Sequence, residues 1–153
     1  MRESIEALMS ASVRALDERR LDDWADCFAS DAAYSVIPRA NLEQNLPLCI
    51  MADETKARIR DRVLFVREIW RENFTDYVPR HLYSIVAFSE SDGEISVASN
   101  VAVYATEPDG HTLLLAVGEY CDVMVRDNGH LLLRRRQVVL DTEILPRYLV
   151  YPL

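Results

Sequence analysis

At Pro79 the hydrophobic period of this chain changes from that of a helix to two. Before that point, Ile5, Leu8, Met9, Val13 and Leu16 recur at helical spacing, with Ser4 placed to cap the first turn. After it, residues 80–89, 94–104, 112–126 and 131–140 form runs rich in Val, Ile, Leu and Tyr, which read as strands. The connections contain Ser91-Asp92-Gly93, Pro108-Asp109-Gly110 and Asn128-Gly129, residues that supply positive φ or preset a turn. Helices followed by a meander of long strands is an α+β layout. The expected architecture is a cone: a curved antiparallel sheet wrapped around N-terminal helices, open at one end. Length makes residues 1–153 a single domain, large enough to bury a core.

The first half divides further. A short second helix is expected to carry Leu21, Trp24 and Phe28 on one face, with Asp22 and Asp23 near its positive end. Residues 33–37 read as a short strand ended by Pro38. Residues 39–51 show no period and contain Pro47, which reads as a loop. A third helix is expected over residues 53–70, with Ile59, Val63, Val66 and Trp70 on one side.

Composition removes several classes of function. The net charge is −8 and the pI about 4.9, opposite to the basic face of a nucleic-acid binder. No polybasic segment offers itself to anionic lipid, and no apolar run approaches the roughly 18 residues that span a bilayer. Arg2, Glu3 and Glu6 at the start are unlike a secretory signal. Cys27, Cys49 and Cys121 are odd in number and far apart, which fits reduced thiols and a cytoplasmic setting.

The last hairpin permits a register argument. If Asn128-Gly129 is a two-residue turn with Asp127 facing His130, Asp122 lies opposite Arg135 and Cys121 opposite Arg136. Glu119 is then a diagonal neighbour of Arg136. Alternation sends Arg135 to one face and Arg134 and Arg136 to the other, so the triple arginine reads as cross-strand pairing on a partly solvated sheet, not as a nucleic-acid patch. The alternative is that Arg136, flanked by Val138 and Leu140, anchors a subunit interface. A bulge in the hairpin would shift this register and undo the pairing.

The chain carries few of the residue patterns that catalysis needs. A Rieske cluster needs two Cys and two His in close pairs, and a mononuclear iron site needs two His and a carboxylate. Here His81, His111 and His130 are scattered singly, and no Cys lies within ten residues of another. There is no Gly-x-Ser-x-Gly elbow, Walker loop or Gly-x-Gly-x-x-Gly. The rival is a cone-fold enzyme with a buried acid–base site. Ketosteroid isomerases place a catalytic Asp just before a proline near the end of the first strand, and Ile37 stands there before Pro38. His81, Asp31 and Tyr34 could supply a dehydratase-like set, although no spacing demands it.

Taken in order, several segments resemble one family. They are a helix leading through Asp22-Asp23-Trp24 to Cys27-Phe28, then Asp31, Tyr34 and the strand from Tyr34 to Arg39. Asp61-Arg62-Val63, Trp70 and Arg80-His81 follow. Gly118-Glu119-Tyr120 with Asp122, the Asn128-Gly129 turn, Arg136 and Leu140-Asp141 complete the pattern. Over nearly its whole length the chain resembles the small (beta) subunit of Rieske-type aromatic-ring-hydroxylating dioxygenases, whose cone fold is shared with nuclear transport factor 2, ketosteroid isomerase and the cystatin-like proteins.

The resemblance implies a chain without catalytic, cofactor or metal residues of its own, scaffolding an iron-bearing alpha subunit in an assembly of three large and three small chains. The alpha subunit would hold the Rieske [2Fe-2S] cluster and the mononuclear non-heme Fe(II). Ferredoxin or reductase components would deliver electrons from NADH. The Pro-Arg and Leu-Pro-Leu segments resemble subunits acting on aromatic acids such as terephthalate, salicylate or anthranilate. Tyr34, Arg39, Arg80, His81, Glu119, Asp122, Arg135, Arg136 and Asp141 are the candidates for a subunit interface or a structural polar network. The apolar tail, residues 148–153, is expected to pack into the fold or against a neighbour, since exposed it would be adhesive. The alternatives are a stand-alone isomerase or dehydratase of the same fold, or a small-molecule binding module.

Overall fold

The computed structural model of the chain describes residues 1–70, 72 and 76–153. Helices α1 (Arg2–Asp17) and α2 (Leu21–Asp26) lead into strand β1 (Phe28–Pro38). A short helix α3 (Arg39–Glu43) and strand β2 (Met51–Asp53) precede α4 (Lys56–Phe65), which runs on as a single π-helical stretch, Val66–Trp70. Four long strands follow: β3 (Val78–Ser91), β4 (Glu94–Thr106), β5 (Thr112–Asp127) and β6 (His130–Leu140). They build one sheet in the order β2-β1-β6-β5-β4-β3. The β3 to β6 meander is antiparallel throughout, as the turn residues demand. β1 joins it parallel to β6, because the chain crosses the cone between them.

The differences from the sequence reading have local causes. Ser4 is not the cap of α1: the helix starts at Arg2, and the Ser4 and Ile5 amides donate to the Met1 carbonyl. β1 begins at Phe28, earlier than expected, and a register shift between Phe28 and Ala33 breaks the alternation that would have revealed it. Residues 39–51 are not all loop but include α3. Asp53 belongs to β2, and α4 starts after Thr55, whose hydroxyl accepts from the Arg58 amide at 3.2 Å.

The core lies between the helices and the concave face of the sheet. Ile5, Met9 and Leu16 of α1 are fully buried against it. Trp24, Phe28 and Tyr34 stack edge to face, with centroids 5.0 Å apart for Trp24–Phe28 and 5.2 Å for Trp24–Tyr34. Register shifts at Ile85/Ala87, Val103/Tyr104 and Val123/Met124 bend the long strands so that the sheet curls over this core.

Gly118 of β5 pairs with Leu140 and lies close against the β6 backbone. A Cβ there would collide with the Val139 carbonyl oxygen, 2.9 Å from its carbon and 3.0 Å from Leu140 Cα. All three are backbone atoms, which cannot rotate away. Gly118→Ala is therefore expected to cost about 3 kcal/mol, at the upper end of overpacking. A urea titration would show it as a lower midpoint at unchanged m value.

Candidate functional site

The β5–β6 hairpin decides which arginine enters the cone. Asn128 (φ 48°) and Gly129 (φ 84°) both adopt positive φ, as a type I′ turn requires, and Asp127 faces His130 as expected. Further along, a register shift between Val123 and Met124 leaves Arg134 as the extra residue. Asp122 therefore faces Arg136, Val123 faces Arg135 and Cys121 faces Gln137. The expected Asp122–Arg135 and Cys121–Arg136 pairs do not form. One inserted residue flips the faces of everything beyond it.

Arg136 is sealed in the interior, and neither it nor Asp122 has any exposed side-chain surface. Its Nε donates to Asp122 Oδ1 at 2.9 Å and its Nη2 to Oδ2 at 2.7 Å, a bidentate pair. Nη1 donates to Ser12 Oγ at 2.8 Å, Nη2 lies 3.0 Å from Met9 Sδ, and the guanidinium sits 4.1 Å above the Tyr120 ring. Burial on its own would lower the guanidinium pKa. The Asp122 carboxylate outweighs it, and the net shift is upward. Arg136 thus joins β6, β5 and α1 from within and is not presented to a neighbouring subunit.

Tyr34 closes the same interior from β1. Its hydroxyl accepts from the Leu153 amide at 2.9 Å and donates to the Leu153 carbonyl at 3.3 Å. The Tyr77 hydroxyl accepts from the Val150 and Tyr151 amides, and Tyr151 donates to Asp76 Oδ1 at 2.5 Å. The apolar tail is thereby stapled into this chain's own fold: Leu149, Val150, Tyr151 and Leu153 are buried, while Tyr148 is exposed. Burial raises the phenol pKa of Tyr34, Tyr77 and Tyr120 above the ordinary 10. A group with a raised folded pKa contributes stability below its unfolded value and loses it as pH climbs beyond. The chain is expected to unfold on the alkaline side of pH ~10. Absorbance at 295 nm should show these phenols ionising only together with the loss of tertiary structure.

His81 faces inward from β3. Its Nδ1 lies 2.7 Å from Asp17 Oδ1, the same oxygen that accepts its backbone amide at 3.0 Å. Arg80 Nη1 reaches Asp17 Oδ2 at 3.6 Å from the exposed side. The end of α1 is thus tied to the start of β3. The dehydratase-like set is not brought together: Asp31 is exposed and pairs with Arg134 at 2.7 Å, His81 pairs with Asp17, and Tyr34 holds the tail. Ile37 pairs with Val139 and alternates to the face opposite Tyr34 and Val36. Asp17 and Ser12 were not singled out from the sequence. An acid in the last turn of a helix opposes the macrodipole and so hints at a partner elsewhere. Ser12 interrupts the apolar stripe between Met9 and Leu16, the signature of a buried hydroxyl with a job to do.

The remaining candidates meet on the rim. Arg39 donates from Nε and Nη2 to Asp141 Oδ1 at 3.0 and 2.9 Å, and its Nη2 lies 3.2 Å from Glu119 Oε2. Glu119 faces Val139 and serves Arg39 rather than Arg136. Such half-exposed pairs contribute little to stability, about 0–1 kcal/mol each. Arg135 points outward and has no ion pair among the described residues.

Among the described residues no three His, Cys, Asp or Glu side chains converge as a metal-ligand set, so the donors present do not fit an iron or a cluster. No helix among them is long and apolar enough to cross a membrane. The family model for the ring hydroxylating beta subunit matches residues 11–147. The chain belongs to the ring-hydroxylating beta-subunit family. Beta subunits are the small chains of oxidoreductase complexes whose catalytic site lies in the alpha subunit. The chain is 29% identical over 147 residues to the anthranilate 1,2-dioxygenase small subunit of Burkholderia cepacia, covering 95% of this chain and 90% of the relative. It is 26% identical over 139 residues to the 2-aminobenzenesulfonate 2,3-dioxygenase beta subunit of Alcaligenes sp., covering 91% and 90%. Among solved structures, it is similar to a beta subunit assigned to an aromatic-ring-hydroxylating dioxygenase of Novosphingobium aromaticivorans DSM 12444. That match has a TM-score of 0.83 and 28% identity, covering 92% of this chain and 88% of that one.

Proposed function

We propose that this beta subunit is the non-catalytic scaffold of a cytoplasmic dioxygenase that adds dioxygen-derived hydroxyls to an aromatic acid. Its partner would be an alpha subunit holding the Rieske [2Fe-2S] cluster and the non-heme Fe(II), with three chains of each kind in the assembly. Ferredoxin or reductase components would feed electrons from NADH to the alpha subunit. An acid substrate is supported by the aminobenzoate- and aminobenzenesulfonate-directed relatives, both named for anionic rings. The observation that carries the scaffold role is the filled interior. Where a cone-fold isomerase or dehydratase keeps its acid–base site, this chain places the Arg136–Asp122 pair, the Tyr120 ring and its own tail. What the chain contributes is a rigid body with prepared outer surfaces.

A tagged purification of this chain from its native cells tests the reading through native mass and iron content. The expected result is a brown, iron-rich complex containing a second chain of oxygenase size. A colourless monomer or dimer that brings down no partner would overturn it.

A further inference from the structure

Among the described residues, Arg135 on the outer face of the sheet has no acidic partner. Arg135 is directly flanked across the strands by Ala33 of β1 and Val123 of β5, and the next row along is Ser35, Gln137, Cys121, Ala98 and Ala87. None of these is acidic. The acids nearby are already engaged: Asp31 and Glu94 by Arg134, Asp122 by Arg136 and Glu119 by Arg39. Among the described residues every other arginine except Arg58 has an acidic partner. In a chain of net charge −8, an arginine so isolated is notable. Beside it lies an open groove of about 330 Å³, walled mainly by Ala87, Phe88, Ala98, Cys121 and Val123, with Ser89 and Ser96 at its side and Asp122, whose carboxylate is turned inward to Arg136, in its floor. An apolar wall ending in one unpaired guanidinium is complementary to an apolar residue next to a carboxylate. Arginine and aromatic side chains are also the groups enriched where subunits meet.

We infer that this groove docks a segment of the large oxygenase subunit in which an Asp, a Glu or the C-terminal carboxylate meets Arg135 while its apolar neighbour fills the space over Ala98 and Cys121. The inference rests on the scaffold reading and adds the surface and the chemistry of its partner. A second copy of this chain is the competing occupant. The site would act as an electrostatic latch: a rim charge sets the association rate and its salt dependence, and the wall supplies the buried area.

Cys121 is exposed in the groove and reports on its occupancy, with exposed Cys49 as the internal comparison. Iodoacetamide alkylation is followed by peptide mass on the free chain and on the purified complex, and Arg135→Glu is compared with Arg58→Glu for recovery of the large subunit. The expected outcome is that Cys121 reacts at least about tenfold more slowly in the complex than in the monomeric free chain. Arg135→Glu should lower recovery of the large subunit by about tenfold, equivalent to 1.4 kcal/mol, with an unchanged melting curve, while Arg58→Glu leaves it unaltered. Equal alkylation in the two states overturns the inference, as does full recovery with Arg135→Glu or an equal loss with Arg58→Glu. A free chain that already self-associates and protects Cys121, or a cross-link from Cys121 to a second copy of this chain within the complex, assigns the groove to a second copy and also overturns it. If the wild-type chain recovers no large subunit at all, the scaffold reading itself fails.

Discussion

Removing residues 149–153 is expected to leave a chain that does not reach a cooperative native state. Leu149, Val150, Tyr151 and Leu153 are all buried, and each such side chain stabilises the fold by about 1.5–3 kcal/mol. The deletion also takes away the partners of the Tyr34 and Tyr77 hydroxyls, leaving both phenols unsatisfied in the interior. Together these losses are comparable to the entire stability of an ordinary domain, about 5–15 kcal/mol. Soluble yield and near-ultraviolet circular dichroism are the readouts, with an aggregated or molten product expected. Tyr34→Phe isolates one staple: it keeps the ring packed against Trp24 and Phe28 and removes only the hydroxyl. Its cost should be about 1–2 kcal/mol, with the fold intact. A truncated chain that is soluble and melts cooperatively would show that the tail is an accessory of assembly and not part of the core.

The elements that could be read from the sequence are those whose cause is local. The four long strands announce themselves through period-two patterning, and the Asp92-Gly93 and Asn128-Gly129 turns through residues that tolerate positive φ. That the tail needs cover followed from its composition, but that this chain's own fold supplies it depends on Tyr34 and Tyr77, more than 70 positions away. What stayed hidden is non-local. The parallel docking of β1 on β6 has no local signal, and α3 and β2 have no period because they are too short to show one. The hairpin bulge carries no glycine to mark it. Plain alternation puts Arg134 and Arg136 on one face and Arg135 on the other, whereas one extra residue turns Arg136 inward and leaves Arg134 and Arg135 outside. Of the polar residues singled out, the Arg39–Glu119–Asp141 cluster and the Asp122–Arg136 pair were within reach as residue types. Their true partners depended on a register that patterning cannot resolve to one residue.

Asp122→Asn tests that register and the solidity of the interior at once. Asparagine has the shape of aspartate, so packing is conserved while the charge opposite Arg136 disappears. A guanidinium with no exposed surface would then lack its counter-ion, for which the expected loss is about 3–5 kcal/mol. Ser12 and the Tyr120 face would remain, but neither supplies a negative charge. In a domain of this size the melting temperature should fall by roughly 10 °C or more. Arg135→Met, by contrast, should change stability by no more than about 0.5 kcal/mol, since its head group is solvated and unpaired. The two variants therefore discriminate the bulged register from the unbulged one, in which Arg135 would be the partner. The double variant Asp122→Leu/Arg136→Met removes both charges and keeps the volume, and is expected to recover most of the lost stability. A double variant that is stable and still assembles would mean that the pair serves this chain's core alone. A stable double variant that no longer assembles would mean that the bidentate geometry fixes how β5 and β6 present their outer face, which links the buried arginine to the exposed one beside it.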